Sequence, residues 1–501
     1  MTEKKKVGGF LGWVERTGNK IPHPIILFLW LMAIIAVLSL IIGGKSITNP
    51  TTGEDVVIQN LLSGPGMAYI LTNMIKNFVN FAPLGLILTM TLGIGLAEEV
   101  GLMSAFMRKT ILGTHDKLIV PAIMLIGICG NVASDAAIII VPTLAAMIYY
   151  YLGKNPIAGI AIGYASTTAG FSANLIIAGT DALLQGITNE ASALVGAPEI
   201  PITANWYIMI ASTFLLTIVG TIINNKIIEP RVGPYNKEID VEKSAITEAE
   251  NKGLRAAGIT LLIYIIIIVA ACIPQNSFLR NPDTGSLSNG SVLLKGLVPL
   301  ILLMFIAISI AYGKASGVIS KASVEVPNIM AKAIAKMSSF IVLAFVIGQF
   351  IGWFSWTNMG LYLAISLTEA LKAANATGVP LFIGYILICA FINIFIGSGS
   401  AKWALMAPIF VPMMYLLGYH PSWTQFLYRV GDSTTNIISP LFNYFPIILA
   451  FMQEYDEEAG AGTLLSLMIP YSMIFLVCWI IFAIVWYFLG LPLGVGGQIF
   501  I

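Results

Sequence analysis

The sequence predicts an all-α polytopic membrane protein with nine transmembrane helices and two re-entrant hairpins, arranged as an inverted structural repeat. Of its 501 residues, 57% are hydrophobic and only 10% are charged, against about 25% charged in ordinary soluble proteins. Two segments, starting at Gly130 and Ile392, also resemble each other, because each places small and polar residues inside an apolar stretch and ends in Leu-Gly-x-x-Pro. The net charge of +1 gives no basic excess, which argues against a nucleic-acid partner.

Nine apolar stretches are long enough to cross the hydrocarbon region, which takes about 20 residues of helix. These stretches are residues 24–44, 68–97, 156–189, 205–228, 254–273, 295–313, 336–371, 421–452 and 464–490. Two further regions, residues 118–152 and 379–418, each consist of two short apolar arms around a polar tip. We predict that each of them is a re-entrant hairpin, which leaves the membrane on the side where it entered.

Each predicted repeat contains four spans and one hairpin. The first repeat covers residues 24–228 and the second covers residues 295–490, with a polar linker at 229–253 and a connecting span at 254–273 between them. Because this extra crossing separates the copies, the second repeat is inverted relative to the first. Residues 1–23 are amphipathic rather than apolar, so they are predicted to be an N-terminal segment and not a cleavable signal.

The distribution of Lys and Arg predicts the orientation. Five basic residues precede the first span, namely Lys4, Lys5, Lys6, Arg16 and Lys20, whereas residues 189–206 contain none. Basic residues concentrate in cytoplasmic loops. The N-terminus and the linker at 229–253 are therefore predicted to be cytoplasmic, with the first hairpin entering from the cytoplasm and the second from outside.

A second interruption follows each of the two related segments. The first copy has Ser166-Thr167-Thr168 and then Asn174, and the second has Ser433-Thr434-Thr435 and then Asn436. Broken backbone at membrane depth is tolerated only where protein buries it or it lines a cavity, and duplicated interruptions are typical of the binding site of secondary transporters. The duplication therefore indicates a substrate pathway.

Five charged residues within the predicted spans and hairpins are candidate functional groups: Asp135, Asp181, Lys402, Arg429 and Asp432. A charge at this depth costs about 2.5 to 3.5 kcal/mol, so it usually marks an ion or substrate path. Arg429 and Asp432 are three residues apart and can pair on one helix face; alternatively, Arg429 is a partner for a substrate carboxylate. Asp181 either binds a coupling cation or proton, or caps a helix break.

The hairpin tips and breaks also carry amide and hydroxyl oxygens. These are Asn131, Ser134, Asn174, Asn393, Ser398 and Ser400. Oxygen ligands of this type suit Na⁺, which predicts a sodium site near Asn131, Ser134 and Asn174, although such side chains also join membrane helices to each other. Trp403 either stacks on an aromatic substrate or packs in the interior.

Three long strings resemble the signature segments of the aminobenzoyl-glutamate transporter (AbgT) family. They are GFSANLIIAGTDALL from Gly170, GSGSAKWALMAPIFVPM from Gly397 and YRVGDSTTNIISPL from Tyr428. The resemblance covers nearly the whole chain. It implies a multi-pass homodimer in the bacterial cytoplasmic membrane, with an inner scaffold and an outer transport core, that uses a cation gradient to import p-aminobenzoyl-glutamate or to export sulfonamide antimetabolites.

The resemblance also implies functional positions, each occupied here by the expected residue type. They are Asp181, Asn393, Ser400, Trp403, Pro421, Arg429, Asp432 and Pro440. We expect Asn393, Ser400, Trp403, Pro421, Arg429 and Pro440 to contact the substrate. We expect Asp181, Asp432, Asn131, Asn174 and Asn436 to serve the coupling ion, H⁺ or Na⁺, with no other cofactor.

Other functions remain open at this stage. A transporter for another carboxylate substrate would share the hairpins and inverted halves, and a channel would lack accumulation against a gradient. An enzyme is not expected, because His23, His115 and His420 lie at the ends of spans or hairpins and none belongs to an HExxH or GxSxG motif.

Overall fold

The computed structural model describes residues 24–48, 53–112, 115, 118–133, 135–235, 246–287, 291–439, 442 and 444–501. Within these ranges the chain is mainly helical, and its strands are a short antiparallel pair, β1 (Ser46–Thr48) and β2 (Asp55–Val57). This confirms the predicted all-α fold class. Two predicted site residues, Ser134 and Pro440, lie outside the described residues, as do the predicted N-terminal segment, 1–23, and residues 236–245 of the linker.

The helices alternate between long apolar elements and shorter, interrupted ones. The first half contains α1 (Pro24–Ile42), α2 (Gly64–Val79), α3 (Ala82–Glu99), α4 (Leu102–Leu112), α5 (Ile119–Cys129), α6 (Asp135–Tyr151), α7 (Pro156–Tyr164), α8 (Gly179–Ala193), α9 (Trp206–Ile223) and α10 (Glu229–Val232). The second half contains α11 (Glu248–Cys272), α12 (Val292–Lys295), α13 (Leu297–Ser316), α14 (Ala322–Ala335), α15 (Ser338–Trp356), α16 (Met359–Ala373), α17 (Val379–Phe395), α18 (Gly399–Leu416), α19 (Pro421–Thr434), α20 (Phe445–Tyr455) and α21 (Ala461–Leu489). Short 3₁₀ turns cover Gly130–Ala133 and Asn436–Ile438, and π turns cover Ala165–Ala169 and Asn224–Ile228.

Seven helical stretches in the described part of the chain are long and apolar enough to cross a membrane. They are Pro24–Ile42, Gly64–Glu99, Trp206–Val232, Glu248–Cys272, Leu297–Ser316, Ser338–Trp356 and Ala461–Leu489. Each lies on one of the nine predicted spans. The other two predicted spans, 156–189 and 421–452, are the interrupted ones, so a total of nine stays a prediction.

Two further predicted spans are each divided into two helices. The span predicted at 336–371 is divided into α15 and α16, because Asn358 adopts a left-handed φ of 58° that no helix continues through. The span predicted at 68–97 is divided into α2 and α3 at Asn80 and Phe81, where Pro83 lies in the first turn of the new helix. Proline fits this position because its missing N–H would have no helical acceptor there.

The two predicted hairpins coincide with pairs of helical arms. Helices α5 and α6 are joined by the 3₁₀ turn at Gly130–Ala133, and α17 and α18 are joined by the non-helical residues 396–398. Helix α6 packs very closely against α7: a Cβ added at Gly163 would lie 2.5 Å from Pro142 Cα. Small residues allow such close packing of membrane helices. The first hairpin therefore packs tightly against the interrupted segment that follows it.

The buried apolar residues form two clusters. The larger cluster surrounds both hairpins and both interrupted segments, including Tyr164, Trp403 and Tyr428. The smaller cluster joins α3, α13 and α14 through residues such as Met90 and Phe305. Helix α11 packs on α13 and leaves most of its apolar surface exposed. That surface requires lipid or a second protein surface to cover it.

Candidate functional site

The two interrupted segments meet in the interior of the protein. In the first segment α7 ends in the π turn at Ala165–Ala169, where the Ser166 and Thr167 hydroxyls donate to Gly163 O at 2.8 and 2.9 Å. Such hydroxyls compete with the helical hydrogen bonds of the backbone. Across the contact, Ser172 N donates to Ser433 Oγ at 3.1 Å. The duplicated interruptions predicted from the sequence therefore form one polar centre.

The first ion pair of this centre joins the two repeats. Arg429 Nη2 on α19 donates to Asp181 Oδ1 on α8 at 2.6 Å. The other carboxylate oxygen of Asp181 accepts from Ala178 N at 2.7 Å, so the predicted helix-capping role is also present. Arg429 is only 2% exposed, and its Nε–H has no acceptor among the described residues. A buried donor without a partner is rare and costly, which makes Arg429 a candidate anion ligand.

The second ion pair lies within the second repeat. Lys402, at the start of α18, contacts Asp432 near the end of α19 and also donates to Asn393 Oδ1. Asn393 Nδ2 lies 2.8 Å from Asn436 Oδ1 and 2.9 Å from Thr435 Oγ1. The pairing of Arg429 with Asp432 that their spacing allows is thus absent, because each takes a partner from another element. Lys402 was recognisable as an intramembrane charge, but its partner was not.

An analogous pair of amides lies in the first repeat. Asn174 Nδ2 donates to Asn131 Oδ1 at 2.6 Å, and Asn131 Nδ2 donates to the carbonyls of Phe171 and Ala173. Both side chains are buried. The structure therefore brings together two members of the predicted sodium site. Among the described residues there is no group of three His, Cys, Asp or Glu that could hold a metal ion.

Trp403 is fully enclosed between α8 and α19. Its indole N–H donates to Leu184 O at 3.2 Å and to Thr188 Oγ1 at 3.1 Å. One ring face packs against Tyr428, with ring centroids 4.4 Å apart. Stacking of a substrate on this ring, as predicted, would require α8 and α18 to separate.

Two other predicted substrate residues lie farther from the ion pairs. Pro421 is the first residue of α19, eight residues before Arg429 and so about 12 Å away along the helix. Ser400 lies at the tip of the second hairpin, where its Oγ is 3.3 Å from Ser398 Oγ. Its neighbour Gly399 lies close to the centre, because a Cβ added at Gly399 would be 3.1 Å from Asp432 Oδ2.

A cavity of about 940 Å³ reaches α8 at Gln185, but none of the residues of the two ion pairs lines it. It lies between α3 and α13 on one side and α8 and the C-terminal segment on the other, and its polar lining includes Gln185, Glu199, Lys295 and His420. Gln185 is one helical turn after Asp181 on the same face of α8. This cavity could not be predicted from the sequence, because its walls come from distant parts of the chain.

A polytopic helical protein whose duplicated broken segments meet at buried charges belongs to the class of membrane transporters. The model of the AbgT transporter family matches residues 9–501. The p-aminobenzoyl-glutamate transport protein of Escherichia coli (strain K12) is 42% identical over 492 residues, which cover 98% of this chain and 96% of that protein. The chain belongs to the AbgT family, as the resemblance of its three signature strings predicted, and it is a transporter rather than an enzyme.

Two solved structures share this fold over their whole length. The YdaH transporter of Alcanivorax borkumensis superposes with a TM-score of 0.90 at 36% identity, covering 94% of this chain and 100% of that one. MtrF of Neisseria gonorrhoeae, described as illuminating a class of antimetabolite efflux pumps, superposes with a TM-score of 0.91 at 39% identity, covering 98% of this chain and 100% of that one.

Proposed function

We propose that this chain is a cation-gradient-driven transporter of p-aminobenzoyl-glutamate, of sulfonamide-type antimetabolites, or of both, in the bacterial cytoplasmic membrane. The observation that carries the proposal is the buried ion pair between Asp181 and Arg429 at the junction of the two repeats. The names of the Escherichia coli and Neisseria gonorrhoeae relatives support the choice of cargo.

The ion pair offers a physical route to coupling. A substrate carboxylate that binds Arg429, including its free Nε–H, competes with Asp181 for the guanidinium. Asp181 would then be a buried carboxylate without a cationic partner, which is strongly unfavourable until it takes up a proton or a cation. Anion and cation binding are therefore linked at one pair of side chains.

The coupling ion has two candidate locations. Asp181 serves a proton, and the amides of Asn131 and Asn174, together with Ser134, serve Na⁺. Movement of the hairpin-containing cluster against the smaller cluster of α3, α13 and α14 would change which side the centre faces, with the cavity as the route. We further propose a homodimer with a cytoplasmic N-terminus, and the exposed apolar surface of α11 supplies surface for lipid and for a partner subunit.

Reconstituted protein tests this proposal. Proteoliposomes would be loaded with labelled p-aminobenzoyl-glutamate or a labelled sulfonamide, with pH and sodium gradients imposed separately. We expect saturable flux of at least one compound. One of the two gradients should accelerate this flux, and collapse of that gradient should abolish it. Equal flux with and without both gradients would contradict coupling, and competition by simple dicarboxylates alone would favour a transporter for another carboxylate.

Substitutions at Trp403 separate substrate stacking from packing. If the ring contacts substrate in an open state, Trp403→Phe keeps an aromatic face and retains affinity, whereas Trp403→Ala weakens binding by about 1 kcal/mol or more. Binding of labelled p-aminobenzoyl-glutamate to purified protein measures this difference, with thermal unfolding as a check on the fold. Unchanged affinity in a folded Trp403→Ala variant would show that the ring only packs, as in this structure.

A further inference from the structure

The two repeats contain matching amide pairs. Asn131 and Asn174 are linked at 2.6 Å in the first repeat, and Asn393 and Asn436 are linked at 2.8 Å in the second. In each repeat the first Asn lies at the end of a hairpin arm and the second follows a Ser-Thr-Thr run at a helix break. The pairs thus occupy corresponding places in the two halves.

The charges around the two pairs differ. The two asparagines of each amide pair are 43 residues apart, so the repeats can be aligned on these pairs. In this register Ile140 and Gly170 of the first repeat correspond to Lys402 and Asp432 of the second. A Lys–Asp pair therefore stands in the second repeat where the first has two uncharged residues.

The Lys402 ammonium is surrounded as a bound cation would be. It contacts the Asn393 amide oxygen and the Asp432 carboxylate, and it lies 5.6 Å from the centre of the Tyr428 ring. Amide and carboxylate oxygens are ligands for small cations, and aromatic faces attract cations. No part of Lys402 is exposed, so its ammonium group is held beside the amide pair and away from solvent.

We infer that Lys402 is a tethered cation, which fills the second repeat's amide centre in place of a diffusible monovalent ion. The second centre then needs no bound ion, and the first centre, with Ile140 and Gly170 at the corresponding positions, is the one that takes a cation from solution. The statement about the first centre rests on the proposed cation coupling. The statement about Lys402 rests on its own contacts and is tested separately.

Removal of the tether should create a dependence on small cations. Lys402→Ala leaves Asp432 and Asn393 facing a vacated cation position. We expect NaCl or LiCl, compared with choline chloride at equal ionic strength, to raise the Tm of this variant saturably and to raise its substrate binding at least about tenfold, because ligands that bind only the folded state stabilise it. Lys402→Arg, which keeps a positive charge, should gain no such dependence.

A neutral version serves as the matched control. Lys402→Ala combined with Asp432→Ala leaves both positions uncharged, as in the first repeat, and removes the carboxylate, so its cation response should be weaker than that of Lys402→Ala. Equal Tm of Lys402→Ala in sodium and choline overturns the inference. So does stabilisation by lower pH alone, or failure to obtain folded Lys402→Ala in either salt.

The same Tm and binding measurements test whether the first centre binds a cation. If wild type is stabilised by sodium, Asn131→Ala should remove that effect. A wild type with no cation response at all contradicts the sodium form of the proposed function, but it leaves the result for Lys402→Ala to decide the role of the lysine. The two failures are therefore distinguishable.

Discussion

Asp181→Asn is expected to reduce gradient-driven transport to the level of empty liposomes. Asparagine keeps the side-chain volume and the oxygen that accepts from Ala178 N, but it lacks the charge that holds Arg429. It also cannot take up a proton or hold a cation electrostatically when a substrate anion binds Arg429. Flux of labelled p-aminobenzoyl-glutamate in proteoliposomes, with each gradient imposed in turn, measures the effect.

Stability must be measured beside transport, because the same change leaves a buried guanidinium without its partner. Breaking a buried ion pair from one side costs about 3 to 5 kcal/mol. The double variant Asp181→Asn with Arg429→Gln should recover much of the lost stability while staying inactive. Asp283→Asn, at an exposed loop position, is the control and should match wild type. Normal gradient-driven uptake or efflux by folded Asp181→Asn would disprove the coupling role of this carboxylate.

The sequence predicted which residues form the centre better than it predicted how they pair. A charge inside an apolar stretch is visible in the sequence, so Asp181, Lys402, Arg429 and Asp432 were all found. Their pairing was not, since Arg429 and Asp181 are 248 residues apart. In the sequence, Asp432 is the nearest possible partner for Arg429. Arg429 pairs with Asp181 instead because the two repeats meet in the folded protein.

The fold shows the same limit at smaller scale. The duplicated interruptions were detectable because Ser, Thr and Asn follow each other inside apolar runs. The break between α15 and α16 was not, because it depends on the left-handed conformation of the single residue Asn358, which is followed at once by another apolar helix. Trp403 lies in α18, within the segment predicted as the second hairpin, but the sequence carries no information on the neighbours that enclose its ring.

Asp432→Asn is expected to be the most destabilising of the conservative changes in the second repeat. It leaves the fully buried Lys402 ammonium with an amide in place of a carboxylate, and it weakens the acceptor that lies 3.1 Å from the Tyr428 hydroxyl. We expect a loss of about 3 to 5 kcal/mol in the free energy of unfolding. Thermal unfolding of the purified protein, with Asp283→Asn as control, measures the change as a lowered Tm.

A double variant tests whether the lost stability comes from Lys402, the buried lysine left without its carboxylate partner. Replacing a buried ion pair by apolar groups of similar volume is often nearly neutral, so Asp432→Asn with Lys402→Met should regain most of the Tm. Sodium should restore Lys402→Ala but not Asp432→Asn, because the second variant has a surplus cation rather than a vacated cation position. Two results would show that the Lys402–Asp432 ion pair does not stabilise this centre. One is a Tm for Asp432→Asn equal to that of wild type, and the other is an equal response of Lys402→Ala and Asp432→Asn to sodium.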